Sequence, residues 1–160
     1  MKLYLRTLVL LAGIACAGLF PAHRALAHCE IPCGIYEDHM RIDMLQEHVR
    51  TVEKSMQEIK KLEATDRTSS HQLIRWVFNK EDHANKIQDI VHQYFMTQRV
   101  KPVGKGDGDA YEAYVTRITL LHEMLVQAMK CKQTTDESPV AELRSLIESF
   151  EDAYFEDEHE

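Results

Sequence analysis

His28-Cys29-Glu30-Ile31-Pro32-Cys33 holds an imidazole and two thiols, and it directly follows Ala25-Leu26-Ala27, the small-residue pattern of a leader cleavage site. Cleavage after Ala27 makes His28 the first residue and adds a free α-amine to the donor set. The amine nitrogen and the deprotonated Cys29 amide chelate one metal through a five-membered ring. The Cys29 thiolate closes a second ring, and Cys33 swings back to complete a plane of two nitrogens and two sulfurs. A plane of this kind suits Ni(II) or Cu(II) rather than tetrahedral Zn(II). Thiolates tend to reduce Cu(II), which leaves nickel favoured. The His28 ring stands one side chain from the plane and can approach axially, while Pro32 and Gly34 turn the segment.

The leader is readable in its own right. Lys2 and Arg6 supply a positive start, Leu8 to Phe20 is apolar, and the cleavage pattern closes the segment at residue 27. The apolar stretch falls short of the ~20 residues of a membrane span. A lipoprotein-type cut at Cys16 is the competing reading, although the leucine usual before Gly13-Ile14-Ala15-Cys16 is missing. The expectation is an exported protein, periplasmic or extracellular, with no membrane segment after cleavage; a cytoplasmic protein with leader processing is the alternative. Removing 27 of the 160 residues leaves 133, one domain by length. The leader takes three of the 19 basic residues and none of the 26 acids, so the mature charge is −10 against −7 for the whole chain. That balance argues against nucleic acid or an anionic membrane as partner, since both need a basic face. Residues 155–160 read as a solvated acidic tail.

Three cysteines outlast the leader: Cys29, Cys33 and Cys131. A plainer reading pairs Cys29 with Cys33 as a disulfide and leaves Cys131 as a small buried hydrophobe near a helix end. It explains neither His28 nor the cleavage point.

The elements that must position these residues are helical. Leu45, Val49, Val52, Met56 and Ile59 follow 4-3-4-3 spacing and predict a helix over 38–63. Ser69 with Gln72 makes a capping box for a second, through Val77, Ala84, Ile87, Val91 and Tyr94 to about Val100. After a turn-rich loop, Asp109 with Glu112 caps a third, with a stripe through Tyr111, Val115, Ile118, Leu121 or His122, Leu125 and Met129. Ser138, with Pro139 at the first helical position, opens a fourth through Val140, Leu143, Leu146, Ile147, Phe150 and Tyr154. Four amphipathic helices with short loops predict an all-α, antiparallel four-helix bundle. The expected division is a cleaved signal peptide over 1–27, a metal-binding hook over 28–37 and the bundle over 38–160.

Other chemistries lack their residues. Paired Glu-x-x-His motifs of a di-iron bundle are absent, and Asp89-x-x-His92 reads as a surface contact. There is no Cys-x-x-Cys-His haem site and no Gly-rich phosphate loop.

His28-Cys29-x-x-Pro32-Cys33-Gly34-x-Tyr36 at a new amino terminus closely resembles the nickel hook of nickel-containing superoxide dismutases. The likeness continues through the helices, including Trp76 and Tyr94-Phe95. It implies a homohexamer of four-helix bundles that disproportionates superoxide to dioxygen and hydrogen peroxide through one Ni(II)/Ni(III) centre per chain. By the same resemblance, His28, Cys29 and Cys33 hold the nickel, with the His28 imidazole axial in the oxidised state. Tyr36 and Tyr94 resemble the tyrosines beside the metal. Asp43 matches the helix-one carboxylate that supports the axial ring, and His83 stands where some members carry an arginine. The alternative class, a non-catalytic nickel- or copper-binding exported helical protein, shares the hook and lacks the turnover.

Overall fold

Helix formation follows the apolar period almost residue for residue in the first element of the computed structural model, which describes residues 37–65 and 69–156. The leader, His28, Cys29, Cys33 and Tyr36 lie outside the described residues. Helix α1, Asp38–Glu63, buries Ile42, Leu45, Val49, Val52, Met56 and Ile59 along one stripe. Asp38 in its first turn and Lys60 and Lys61 in its last complement the helix dipole.

Helix α2, Ser70–Asp89, starts where the capping residues place it, with the Ser69 hydroxyl accepting from the Gln72 amide at 3.4 Å. Its inward row is Lys80, Ala84 and Ile87. Val77, expected inside, is 39% exposed beside exposed Ile74 and Phe78. Val77 lies on the same row, three residues before Lys80, and that row leaves the core toward the start of α2. The chain continues without a break into a π-helix, Ile90–Arg99, which buries Ile90, Val91, Tyr94 and Phe95.

Helix α3, Asp109–Gln133, is preceded by Gly108 at φ +54°, a conformation that glycine adopts without steric cost. The expected Asp109/Glu112 cap is absent: Gly108 is the cap residue and makes no side-chain bond, and both acids lie in the first turn. The buried row is Leu121, Met124, Ala128 and Cys131, while Val115 and Met129 are each 41% exposed. The predicted stripe therefore drifts off the core at both ends. Helix α4, Ser138–Phe155, begins one residue before Pro139 and buries Val140, Leu143, Leu146, Ile147 and Phe150. Phe155, assigned above to the solvated tail, is buried and stacks on His39 with ring centroids 3.8 Å apart.

Contacts between ends fix the directions. The start of α1 meets the end of the π-helix and of α4, through Asp38–Arg99 and Asp38–Tyr154. The end of α1 meets the start of α4 through Lys60–Glu137 at 2.9 Å. Arg117, early in α3, reaches the Ala153 carbonyl near the end of α4 at 2.8 Å. The fold is an antiparallel four-helix bundle, all-α among the described residues, with Phe95, Phe150, Met56, Leu121 and Met124 at its centre.

Candidate metal centre and its approach

The hook enters the bundle at Asp38, the first residue of α1, two positions after Tyr36 and five after Cys33. The Asp38 carboxylate is a junction of three elements. Tyr94 donates its hydroxyl to Oδ1. Oδ2 accepts from Tyr154 at 2.7 Å and from Arg99 Nε and Nη2 at 3.0 and 2.5 Å. Only 11% of the Asp38 side chain is exposed. Burial alone would raise its pKa, but the bonds from Tyr94, Arg99 and Tyr154 outweigh it and hold the carboxyl below its ordinary value. Burial and the adjacent carboxylate push both tyrosines up to about 12. Both phenols therefore stay protonated at neutral pH, their protons committed to Asp38.

The π-winding explains how Tyr94 and Arg99 reach one carboxylate. They are five residues apart, and on an α-helix of 3.6 residues per turn they would point about 140° away from each other. A π-helix bonds each amide to the carbonyl five residues back, which stacks position i+5 over i. Side chains here reinforce that register. Thr97 Oγ1 donates to the His92 carbonyl at 2.7 Å and Gln98 Nε2 to the Gln93 carbonyl at 2.9 Å, each five residues back. The Val100 amide closes on Phe95 O at 2.8 Å.

Tyr94 is 1% exposed and sits under a cation, with the Arg41 guanidinium 4.9 Å from its ring centroid. Beside the junction lies a cleft of about 530 Å³ whose lining includes Arg99, Lys101, Arg117, Tyr114, Tyr154 and Asp109. In a chain of net charge −7 this wall carries three cations and one acid.

Asp43 is exposed and has no hydrogen-bond partner among the described residues. His83 is half-buried and faces His48, the two Nδ1 atoms 3.1 Å apart, so one ring donates and the other accepts. Burial lowers both pKa values, and Lys86 adds to the effect. Among the described residues, then, Asp43 and His83 do not meet; His83 pairs with a histidine that the sequence reading left unassigned. Sequence reasoning also missed Asp38, Arg99 and Tyr154. Tyr154 was read only as a core residue, and the one usable signal was an acid at a helix start directly after the hook. Cys131 is free and fully buried, its thiol pushed up to about 11 by burial, an inert packing residue as expected.

The family model for nickel-containing superoxide dismutase matches residues 23–158, covering the hook and nearly all of the bundle. The chain belongs to this family. No curated protein and no solved structure matches it. Membership makes the chain a nickel-dependent oxidoreductase that disproportionates superoxide to dioxygen and hydrogen peroxide. Nothing in the match favours the non-catalytic metal-binding alternative. In this superoxide dismutase the Asp38 junction stands at the base of the expected ligand segment, and the cationic cleft stands beside it.

Proposed function

We propose that the nickel of this superoxide dismutase is held by the His28 amine and imidazole, the Cys29 amide and thiolate, and the Cys33 thiolate, in a site completed by removal of residues 1–27. The observation that carries the reading is the set of nitrogen and sulfur donors packed into six residues behind Ala25-Leu26-Ala27. Among the described residues no group of three or more His, Cys, Asp or Glu side chains can hold a metal ion. The family match, residues 23–158, takes in the hook together with the last five residues of the expected leader. The donor set fits nickel: anionic sulfur and amide nitrogen stabilise the higher oxidation state that a one-electron couple needs. Bound there, nickel supplies the electron relay between Ni(II) and Ni(III).

The chain's own groups supply access and protons. Tyr36, two residues before the Asp38 junction, orders water at the approach and passes a proton to the departing peroxide. Tyr94 is a wall rather than an acid, because its hydroxyl already donates to Asp38. Arg99, Lys101 and Arg117 give the superoxide anion a favourable approach on an otherwise acidic molecule. Asp43 and His83 keep the roles of aligning the His28 ring, His83 through its contact with His48. The start of α1 at Asp38 supports a division into leader 1–27, hook 28–37 and bundle 38–160. Self-assembly into a homohexamer has a surface to use, the exposed stripe of Ile74, Val77 and Phe78 on α2. Export by the leader places the mature enzyme outside the cytoplasm.

Intact mass and amino-terminal sequencing of the natural mature protein, with nickel measured on the same sample, test the reading. A start at His28 with about one nickel per chain is expected from the ligand count; a start elsewhere with nickel retained overturns it.

A further inference from the structure

We propose that Asp38 is a positioning residue for the nickel hook: its junction with Arg99, Tyr94 and Tyr154 fixes the hook's root to the bundle and so governs nickel retention. The inference rests on the ligand assignment above. Its physical basis is the reach of the chain. At 3.3–3.6 Å per residue, five residues put Cys33 no more than roughly 18 Å from Asp38, and Tyr36 no more than roughly 7 Å. So short a lead ties how far Tyr36 and Cys33 can travel to the placement of Asp38. Asp38 is the first residue of α1, where an unrestrained helix end frays. Its own amide has no intrahelical partner, and Glu37 before it offers no side-chain cap.

What stops fraying here is the carboxylate. It accepts four hydrogen bonds from three side chains on two other elements, and one of its partners is a charged fork from Arg99. The fork reaches it because the ten residues Ile90–Arg99, Arg99 included, are π-wound. Arg41 on the Tyr94 ring and His39 stacked on Phe155 add two further clasps within the first turn of α1. The other helix starts are held by fewer partners: Ser69 caps α2 with one hydroxyl, Gly108 makes no side-chain cap bond, and at α4 the Asp136 carboxylate accepts from Ser138 while Glu137 pairs with Lys60.

The test uses the mature, nickel-loaded enzyme. Asp38→Asn keeps the shape and removes the charge that pairs Arg99. Arg99→Lys keeps the charge and loses the fork, and Tyr154→Phe removes one bond. The readout is the rate of nickel loss to excess chelator, with the electron paramagnetic resonance spectrum of the oxidised metal as a second measure. Expected acceleration is about tenfold or more for Asp38→Asn, within the 10- to 100-fold range of groups that orient metal ligands. Arg99→Lys should fall between that and Tyr154→Phe, with all three retaining the helical circular dichroism of the parent.

Glu53→Gln is the structural control. It breaks the 2.8 Å Arg144–Glu53 pair fifteen residues further along the chain in α1 and should leave nickel loss unchanged. Nickel loss unchanged in Asp38→Asn, or raised equally in Glu53→Gln, overturns the proposal. Failure of the underlying ligand assignment looks different: Cys29→Ser would then hold nickel as well as the parent.

Discussion

At the hook end of the bundle the Asp38 carboxylate is held by Tyr94, Tyr154 and Arg99, all of them side chains. Midway along α2 the Lys80 ammonium is held mainly by main chain, with the Glu81 carboxylate at 3.3 Å as its one side-chain partner among the described residues. It donates to the carbonyls of Cys131, Lys132 and Thr134 at 2.8, 2.6 and 3.3 Å, and is 4% exposed. Both are sequestered charges with several partners, yet their partners assign them different work. The carbonyls around Lys80 are the unpaired end of α3, which carries the negative end of the helix dipole and needs donors in any bundle of this shape. They move only if α3 unfolds. The partners of Asp38 sit on separate elements and can be changed one by one with every helix intact. Lys80 belongs to the scaffold; Asp38 joins the scaffold to the chemistry.

Breaking the chemistry outright gives the largest effect. Cys29→Ser removes one thiolate from the proposed plane and should abolish nickel binding. Activity per chain should fall at least about a thousandfold, roughly 4 kcal/mol in barrier terms. Metal analysis and a superoxide assay check it, and circular dichroism should show the bundle unchanged.

Lys80→Met breaks the other side of the comparison. Three carbonyls at a buried helix end lose their donor, at a cost of about 3 kcal/mol. That corresponds to a drop of about 10 °C in Tm for a domain of this size. Nickel per folded chain should stay at the parent value. A stable variant that loses nickel would reverse the assignment of the two charges.

The comparison also marks where the sequence is legible. The stripe from Leu45 to Ile59 and the Ser69 cap give α1 and the start of α2, because a 3.6-residue period and a hydroxyl cap are local facts. The proposed hook donors can be picked out of the sequence because they are contiguous. The inward row of α3 is harder to read. Ala128 and Cys131 are small and carry little apolar signal, while larger Val115 and Met129 face outward. Asp38 and Lys80 are least legible of all. Lys80 looks like any solvated lysine until the end of α3 is laid against it, fifty-one residues along. The Asp38–Arg99 pair spans sixty-one residues and depends on a π-winding that an α-helical period cannot express.

Acid should discriminate the two ends more gently. The folded-state pKa of Asp38 is depressed, so its contribution is present above the unfolded value of about 3.8 and is lost as pH falls below it. Melting the metal-free Cys29→Ser chain from pH 6 to pH 3 separates this from nickel release. Adding Asp38→Asn should lower Tm by a few degrees at pH 6 and by progressively less toward pH 3, because below about 3.8 the unfolded chain's Asp38 takes up a proton that the folded carboxylate resists. A parallel offset at every pH would mean that the carboxylate's charge does not matter.

The smallest effect concerns the approach of the substrate. Lys101 is exposed on the wall of the cleft beside Arg99 and Arg117, whereas Lys130 is exposed near the far end of α3. Lys101→Glu and Lys130→Glu change the net charge equally, so a difference between them reports local field rather than global repulsion. Lys101→Glu should lower kcat/KM by about threefold at low ionic strength, and the deficit should fade toward 1 M salt, where the Debye length is only about 3 Å. Lys130→Glu should change little at any salt concentration. Equal losses from both would mean that the anion senses only the overall charge and that the cleft plays no part in its approach.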